Sequence, residues 1–386
     1  MRWSSRSTTT APDHGRDGGC TIRPDLGEPS KRRRLASLDA LRGLAVLMMI
    51  WQHLGVWLWQ GPQRGETLAD YKYLMVFNAS GGFGAPLFFI LAGAGTALLC
   101  QRVRPGLDAV LVRRGLGLWG FGMLVNLVTP SWFTWGSFFA LQLMGVGIAL
   151  GPVWRRATDR QLLAIAAAIL LLTPLVQAWL HTPADLDNPR MRDVSLPGGA
   201  FRLGLAESQY PILPWLAVFV AGVWAGRYIA RDQAAAMLKV GLAALAVAGI
   251  GYGIYVAVHP PADSLLWRAF RLKLGFFPAS VTMGAAMLGL AMLVLWGAAL
   301  YERWRPLSSK HPMVPLGRAS LTIFIIHVPL FREATRPYGI WRGLTATQTL
   351  LTIAGFAVLS TIAAWLWSRV QYRFGAEWAL RKLGGE

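Results

Sequence analysis

The chain has 386 residues, of which 54% are hydrophobic and only 15% are charged, and its formal net charge is +19. Soluble globular domains contain roughly 25% charged residues, so the composition excludes an ordinary soluble protein and indicates several membrane spans. The positive charge lies in short loops between apolar segments, which is typical of membrane proteins and argues against nucleic-acid binding. The two cysteines, Cys20 and Cys100, indicate neither a disulfide framework nor a metal site.

The predicted elements begin with a tail. Residues 1–33 are rich in Ser, Thr, Gly, Arg and Pro and lack an apolar run, so they predict a disordered, basic cytosolic tail. Residues 34–375 are expected to form one transmembrane domain, followed by a short cytosolic tail at 376–386. Apolar runs of about 20 residues predict an all-α, polytopic membrane bundle of about ten helices. The predicted spans are 39–59, 73–100, 111–128, 132–152, 161–181, 210–229, 235–258, 278–300, 315–332 and 347–369.

Basic loops predict the orientation of the bundle. Arginine-rich stretches fall on one side of the membrane if every span crosses, at 31–34, 101–114, 154–160, 226–232 and 301–306. Both chain ends are therefore expected in the cytosol, with the protein in the inner (plasma) membrane. The basic stretch 267–273 falls on the other side, so an eleventh, re-entrant helix near 262–277 is an alternative. The second span is expected to kink at Pro86, because proline removes a backbone donor.

The first span contains three ionisable residues on one face. Arg42 and His53 are eleven residues apart, almost three helical turns, which places His53 about 16 Å deeper than Arg42. Asp39 precedes Arg42 by three residues and can pair with it. Because lipid exposure of such groups is costly, the face should point into the bundle or a wet cavity. Two interpretations stay open, an interhelical hydrogen bond for His53 or a general base.

Five segments resemble transmembrane acyltransferases. The opening Asp-x-x-Arg-Gly with its Arg-x10-His spacing resembles the bacterial integral-membrane family that O-acetylates envelope sugars. The later segments and their order resemble the related heparan-α-glucosaminide N-acetyltransferase family more closely. The segments are DALRG at 39–43 with His53, GAPLFFILAGAG at 84–95, RRGLGLWGFGMLVN at 113–126, PILPWLAVFVAGVWAGR at 211–227 and LGRASLTIFIIH at 316–327.

This resemblance implies an enzyme that moves an acyl group, most simply acetyl from acetyl-CoA, to an amine or hydroxyl of a sugar or other envelope acceptor. It implies His53 as general base, with Asp39 holding Arg42 in place. The CoA phosphates would meet Arg42, Arg113 and Arg114 at the inner mouth, since guanidinium groups bind phosphate well. Positive-inside anchoring explains Arg113 and Arg114 equally well.

Three further residues are candidates for substrate binding. Asn78 and Asn126 are polar groups near the outer ends of apolar spans, where they could orient the acceptor or join two helices. His327 lies nine residues after Arg318 in the ninth predicted span, which loosely repeats the Arg-then-His pattern of the first. The sequence leaves open whether His327 shares a site with His53 or packs structurally.

A transporter or channel is the competing interpretation, with the buried Arg and His residues lining a proton or anion path. The sequence contains no inverted repeat of the transporter type, and this absence favours the acyltransferase. The expected partners are acyl-CoA, a glycan or other envelope acceptor and the lipid bilayer, with a homodimer left open. No nucleic acid and no metal are expected.

Overall fold

A computed structural model describes residues 35–101, 105–184, 198–273 and 276–385. The predicted N-terminal tail, 1–33, lies outside these residues. The described residues are helical with no strand; Trp59 and Leu344 form an isolated bridge between loops. The predicted all-α class is therefore confirmed.

The first part of the bundle contains six helices. A pair of long helices, α1 and α4, is separated by the shorter α2 and α3, and two short helices follow. The helices are α1 Ala36–Leu58, α2 Lys72–Gly81, α3 Gly84–Cys100, α4 Leu107–Val128, α5 Ala140–Ala149 and α6 Gly151–Arg156.

The middle and last parts contribute ten more helices, several of which begin at a hydroxyl cap. Thr158 accepts a hydrogen bond from the backbone of Gln161 at the start of α7, and Thr345 does the same for Gln348 at the start of α15. The helices are α7 Asp159–Trp179, α8 Gly199–Arg202, α9 Ile212–Ala230, α10 Ala235–Val258, α11 Leu265–Phe270, α12 Val281–Trp304, α13 Met313–Arg318, α14 Ser320–Pro329, α15 Ala346–Ser368 and α16 Ala376–Leu383.

Seven segments among the described residues are long and apolar enough to cross a membrane. They are Ala36–Leu58, Leu68–Cys100, Asp159–Trp179, Ile212–Ala230, Ala235–Val258, Val281–Trp304 and Ala346–Ser368. The other predicted spans fall on α4, on α5 with α6, and on α13 with α14. The helices α5, α6, α13 and α14 are short, and α4 carries charges in its first two turns. The number of about ten spans stays a prediction.

Two local predictions need correction or refinement. The second predicted span is interrupted at Gly82 and Phe83, between α2 and α3, rather than at Pro86. Pro86 lies in the first turn of α3, where a backbone N–H has no intrahelical acceptor and its absence costs little. The stretch predicted as a re-entrant helix near 262–277 contains the six-residue helix α11.

The centre of the bundle is α9, which is buried over most of its length and packs against α3. Glycines allow the two backbones to touch. A Cβ atom at Gly93 would lie 2.0 Å from the carbonyl oxygen of Phe219, and one at Gly222 would lie 2.2 Å from that of Ile90. Small residues at helix crossings are the usual means of close packing in membranes.

Candidate active site

Two histidines from distant parts of the sequence meet between α1 and α14. The Nδ1 atom of His53 lies 2.9 Å from the Nε2 atom of His327. The rings are nearly parallel, with centroids 5.2 Å apart. His327 is fully buried, whereas His53 keeps 8% of its surface exposed. Both rings are therefore buried, and His53 is the more accessible of the two.

The hydrogen bonds of the pair determine its tautomers. The Nδ1 atom of His327 lies 3.2 Å from the carbonyl oxygen of Ile323, one turn earlier on α14. Because a carbonyl oxygen only accepts, this nitrogen carries the hydrogen, and in a neutral ring Nε2 then accepts. His53 must donate from Nδ1 to that atom. In the neutral pair, Nε2 of His53 is left with a free lone pair.

Aromatic rings enclose His53. Trp57, one turn later on α1, stacks on it with centroids 4.5 Å apart, and Trp132 meets it edge-on at 5.8 Å. The guanidinium of Arg332 lies 5.2 Å from the Trp132 ring centroid and 4.1 Å from that of Trp341. It also donates to the Ser131 hydroxyl at 3.2 Å, which ties this aromatic cage to the turn after α14.

The cage residues are not among the site residues predicted from the sequence. The spacing from His53 to Trp57 is one helical turn, so Trp57 could have been placed on the histidine face from periodicity alone. Trp132 and Arg332 lie 79 and 279 residues after His53 in the sequence. No local pattern indicates that they pack together.

A second polar cluster lies near the start of α1, where α13 packs against it. The buried carboxylate of Asp39 accepts from Arg42 Nη1 at 2.9 Å, as the spacing predicts, and from Arg318 Nε at 3.0 Å. Each arginine side chain is 26% exposed. In the contacts described, two guanidinium groups face this one carboxylate, so these three side chains together carry a net charge of +1 at a partly open position.

Glycines bring the helices of this cluster into backbone contact. A Cβ atom at Gly317 on α13 would lie 1.7 Å from the carbonyl oxygen of Asp39, and one at Gly43 on α1 would lie 2.3 Å from that of Met313. The two segments therefore run side by side, with arginines at one level and histidines at the other. The Arg-then-His pattern that the sequence repeats is thus brought together in space.

The remaining predicted site residues have other neighbours. Arg113 is exposed and its Nε donates to the carbonyl of Ala109 on its own helix at 3.3 Å. Arg114 packs against Gly384, where a Cβ atom would lie 2.4 Å from its Nε. It is Arg318, rather than this arginine pair, that shares a carboxylate with Arg42.

The two predicted asparagines lie at helix contacts. Asn126 is buried and its amide donates to the carbonyl of Ser137 at 2.7 Å, which holds the loop between α4 and α5. The Oδ1 atom of Asn78 packs against Gly55 of α1. That oxygen is buried without a hydrogen-bond partner in the described chain. Within the described ranges, no group of three or more His, Cys, Asp or Glu side chains could hold a metal ion.

Two family models match the chain, and each covers one half of the histidine pair. The family described as heparan-alpha-glucosaminide N-acetyltransferase, catalytic, matches residues 34–259, which is more than half of the chain and includes His53. The family described as OpgC protein matches residues 205–371, which include His327. No curated protein matches the chain closely enough to count as a relative.

The first match confirms the resemblance to the heparan-α-glucosaminide N-acetyltransferase family and covers four of the five segments, all but 316–327. The Arg-x10-His resemblance to the other bacterial family stays a prediction. Both matched families and the seven apolar helices agree with one broad class of protein. The chain belongs to the heparan-alpha-glucosaminide N-acetyltransferase catalytic family and is a multi-pass membrane acyltransferase.

Proposed function

We propose that the protein transfers an acetyl group from acetyl-CoA to an amine or hydroxyl of a sugar or other envelope acceptor. In this proposal His53 is the general base and His327 is its partner. The observation that carries the proposal is the 2.9 Å contact between His53 Nδ1 and His327 Nε2, with His327 anchored to Ile323. It leaves Nε2 of His53, the less buried of the two histidines, with a free lone pair, which a general base requires.

The proposed reaction uses the pair as follows. Nε2 of His53 accepts the proton of the acceptor N–H or O–H while that atom attacks the thioester carbonyl. The positive charge that develops on His53 is stabilised through its Nδ1–H bond to His327. His53 then returns the proton to the departing thiolate as the carbon–sulfur bond breaks. A route through acetyl-His53 has the same overall balance, with the acceptor attacking in a second step.

The Asp39 cluster is the proposed site for the donor's phosphates. Arg42 and Arg318 present excess positive charge at a partly exposed position, which suits phosphate oxygens. Arg113 and Arg114 stay candidates for further phosphate contacts. The cluster and the histidines are separated by the length of α1 between residues 42 and 53, about 16 Å. An extended pantetheine arm would connect the two levels.

The direct test uses detergent-purified protein, radiolabelled acetyl-CoA and glucosamine as the probe acceptor. We expect labelled N- or O-acetylglucosamine in amounts that grow with enzyme concentration. Proteoliposomes without CoA provide the opposing measurement. Proton or anion flux there, together with no binding of acetyl-CoA, would replace the acyltransferase with the transporter interpretation.

Binding of acetyl-CoA should depend on the second arginine of the cluster. Arg318→Gln is expected to weaken acetyl-CoA binding roughly 10- to 100-fold, because a charge-assisted hydrogen bond contributes about 1.5–3 kcal/mol. Asp39 keeps Arg42 as a partner in this variant, so folding should be retained. Titration calorimetry would measure the change.

Two further variants make this measurement specific. Arg64→Gln changes an exposed arginine in the loop after α1 and should leave the affinity unchanged. The double variant Arg113→Ala, Arg114→Ala tests the arginine pair that was predicted from the sequence to bind phosphate. Unchanged affinity in folded Arg318→Gln would show that this arginine is only a structural partner of Asp39.

Both chain ends are proposed to lie in the cytosol of a cell whose inner membrane holds the protein. The arginine-rich loops support this orientation. A reporter fused after Glu386 is expected to behave as a cytosolic protein. An alkaline phosphatase fusion that is active at the same position would show that the number of crossings is odd.

A further inference from the structure

The ninth predicted span is broken between α13 and α14. This break leaves backbone N–H groups at the start of α14 without an acceptor in their own helix. Between α13 and α14, Ala319 has φ −101° and ψ 6°, which ends the first helix and starts the second. In an unbroken helix, the N–H groups of Leu321 and Thr322 would donate to carbonyl oxygens of the preceding turn. At the start of a new helix these groups have no intrahelical acceptor.

A carboxylate from α16 accepts these hydrogen bonds. Oε1 of Glu377 accepts from Leu321 N at 2.7 Å and from Thr322 N at 3.1 Å. Oε2 accepts from the Thr322 hydroxyl at 2.5 Å, and that hydroxyl accepts from the backbone of Ala376 at 2.8 Å. The negative charge also lies at the positive end of the α14 dipole. The start of α14 is therefore bound to the start of α16 by four hydrogen bonds.

The helix that supplies this carboxylate is held in place by its own packing. Leu380 and Leu383 lie against Gly117 of α4, where a Cβ atom would be 3.0 and 2.7 Å from their methyl groups. The residue before α16, Gly375, is pressed against Trp367, since a Cβ atom on that glycine would lie only 2.5 Å from the indole. Glu377 therefore projects from a helix that these contacts hold in position.

The capped turn is adjacent to the turn that orients His327. Ile323, whose carbonyl holds Nδ1 of His327, directly follows Thr322. Only five residues, about 7.5 Å of helix, separate Thr322 from His327. The turn that directly follows α14 is tied to the loop after α4, since Glu333 in that turn accepts from Ser131 N at 2.9 Å. A ten-residue helix held at both ends has little freedom to slide along its axis.

We propose that Glu377 is a positioning residue, which through α14 sets the distance between His327 and His53. The inference rests on the proposed function of the histidine pair. In this inference α16, through Glu377, holds α14 in place. A displacement of about 1 Å would stretch the histidine hydrogen bond beyond its normal range, and such shifts can cost 10²-fold in rate.

The test is a kinetic comparison with acetyl-CoA and glucosamine as probes. Glu377→Ala is expected to lower kcat roughly 10- to 100-fold while leaving the KM for acetyl-CoA within about twofold. Glu377→Gln, which keeps one accepting oxygen, should lose less. The matched control is Asp70→Ala, since Asp70 accepts from the backbone and hydroxyl of Thr67 in the loop after α1. This control should keep full activity.

A double-mutant cycle separates positioning from general loss of structure. If Glu377 acts through His327, Glu377→Ala should have little further effect on kcat in a His327→Ala background. Losses that multiply in the double variant, or an unchanged kcat in Glu377→Ala, would overturn the proposal. If Glu377→Ala does not fold, Thr322→Val removes two of the four bonds and serves in its place.

Hydrogen–deuterium exchange gives a readout that needs no activity. Amides of the peptide covering 319–328 should exchange faster in Glu377→Ala and at the wild-type rate in Asp70→Ala. Unchanged exchange in Glu377→Ala would show that Glu377 does not hold α14 in place. If the wild type transfers no acetyl group, the proposed function fails and the positioning role with it, whereas this exchange experiment still decides whether Glu377 holds α14.

Discussion

His53→Gln is expected to lose acetyl transfer by about 10²–10⁴-fold, the usual contribution of a positioned general base. Glutamine can donate to Nε2 of His327 and so preserve the packing of α1 and α14, but it cannot take a proton from the acceptor. Folding and acetyl-CoA binding should therefore stay close to those of the wild type. Single-turnover transfer to glucosamine with saturating acetyl-CoA would measure the chemical step.

The histidine partner and an unrelated histidine complete this experiment. His327→Gln should have a smaller effect, because it removes stabilisation of the charged base rather than the base itself. His311→Gln changes an exposed histidine before α13 and should have none. Full activity in His53→Gln would reject the proposed role of His53, and loss confined to His327→Gln would transfer that role to His327.

Gly317→Ala is expected to destabilise the bundle strongly. The new Cβ atom would lie 1.7 Å from the carbonyl oxygen of Asp39 and 2.9 Å from the backbone nitrogen of Gly43, so α13 must move away from α1. Overpacking usually costs about 1–3 kcal/mol, and a clash between two backbones lies at or above the upper end of that range. The same movement would separate Arg318 from Asp39.

A matched glycine shows whether the position or the residue type matters. Gly355→Ala places a methyl group on α15 where no atom lies within 4 Å. This variant should keep or slightly raise stability, since alanine is the better helix former. Thermal unfolding followed by size-exclusion chromatography in detergent would compare the two variants. Equal midpoints would contradict the close backbone contact at Gly317.

Helical periodicity made part of the candidate site predictable. The spacing of Asp39, Arg42 and His53 placed them on one face of α1, and the pair between the first two is present. The repeated Arg-then-His pattern made His327 a candidate residue but did not predict whether it lies beside His53. These relations depend on residues within about four helical turns of one another.

The rest of the site depends on contacts between distant segments. Arg318 reaches Asp39 across 279 positions, and Glu377 reaches α14 across more than fifty. Nothing in the local sequence around Glu377 distinguishes it from a carboxylate on a solvated helix. The break at Ala319 could not be predicted from the sequence either, because the apolar run from 315 to 332 is typical of a single span.

The two clusters on α1 have a consequence for the size of the donor. Arg42 and His53, one residue from each cluster, lie on one continuous helix, so small movements of the bundle leave their separation of about 16 Å unchanged. With phosphates held by the arginines, an acyl group reaches His53 only at the end of a long arm. A small acyl phosphate bound to the same arginines would hold its carbonyl carbon far short of the base. The proposed site would therefore select its donor by the length between phosphate and acyl group as well as by charge.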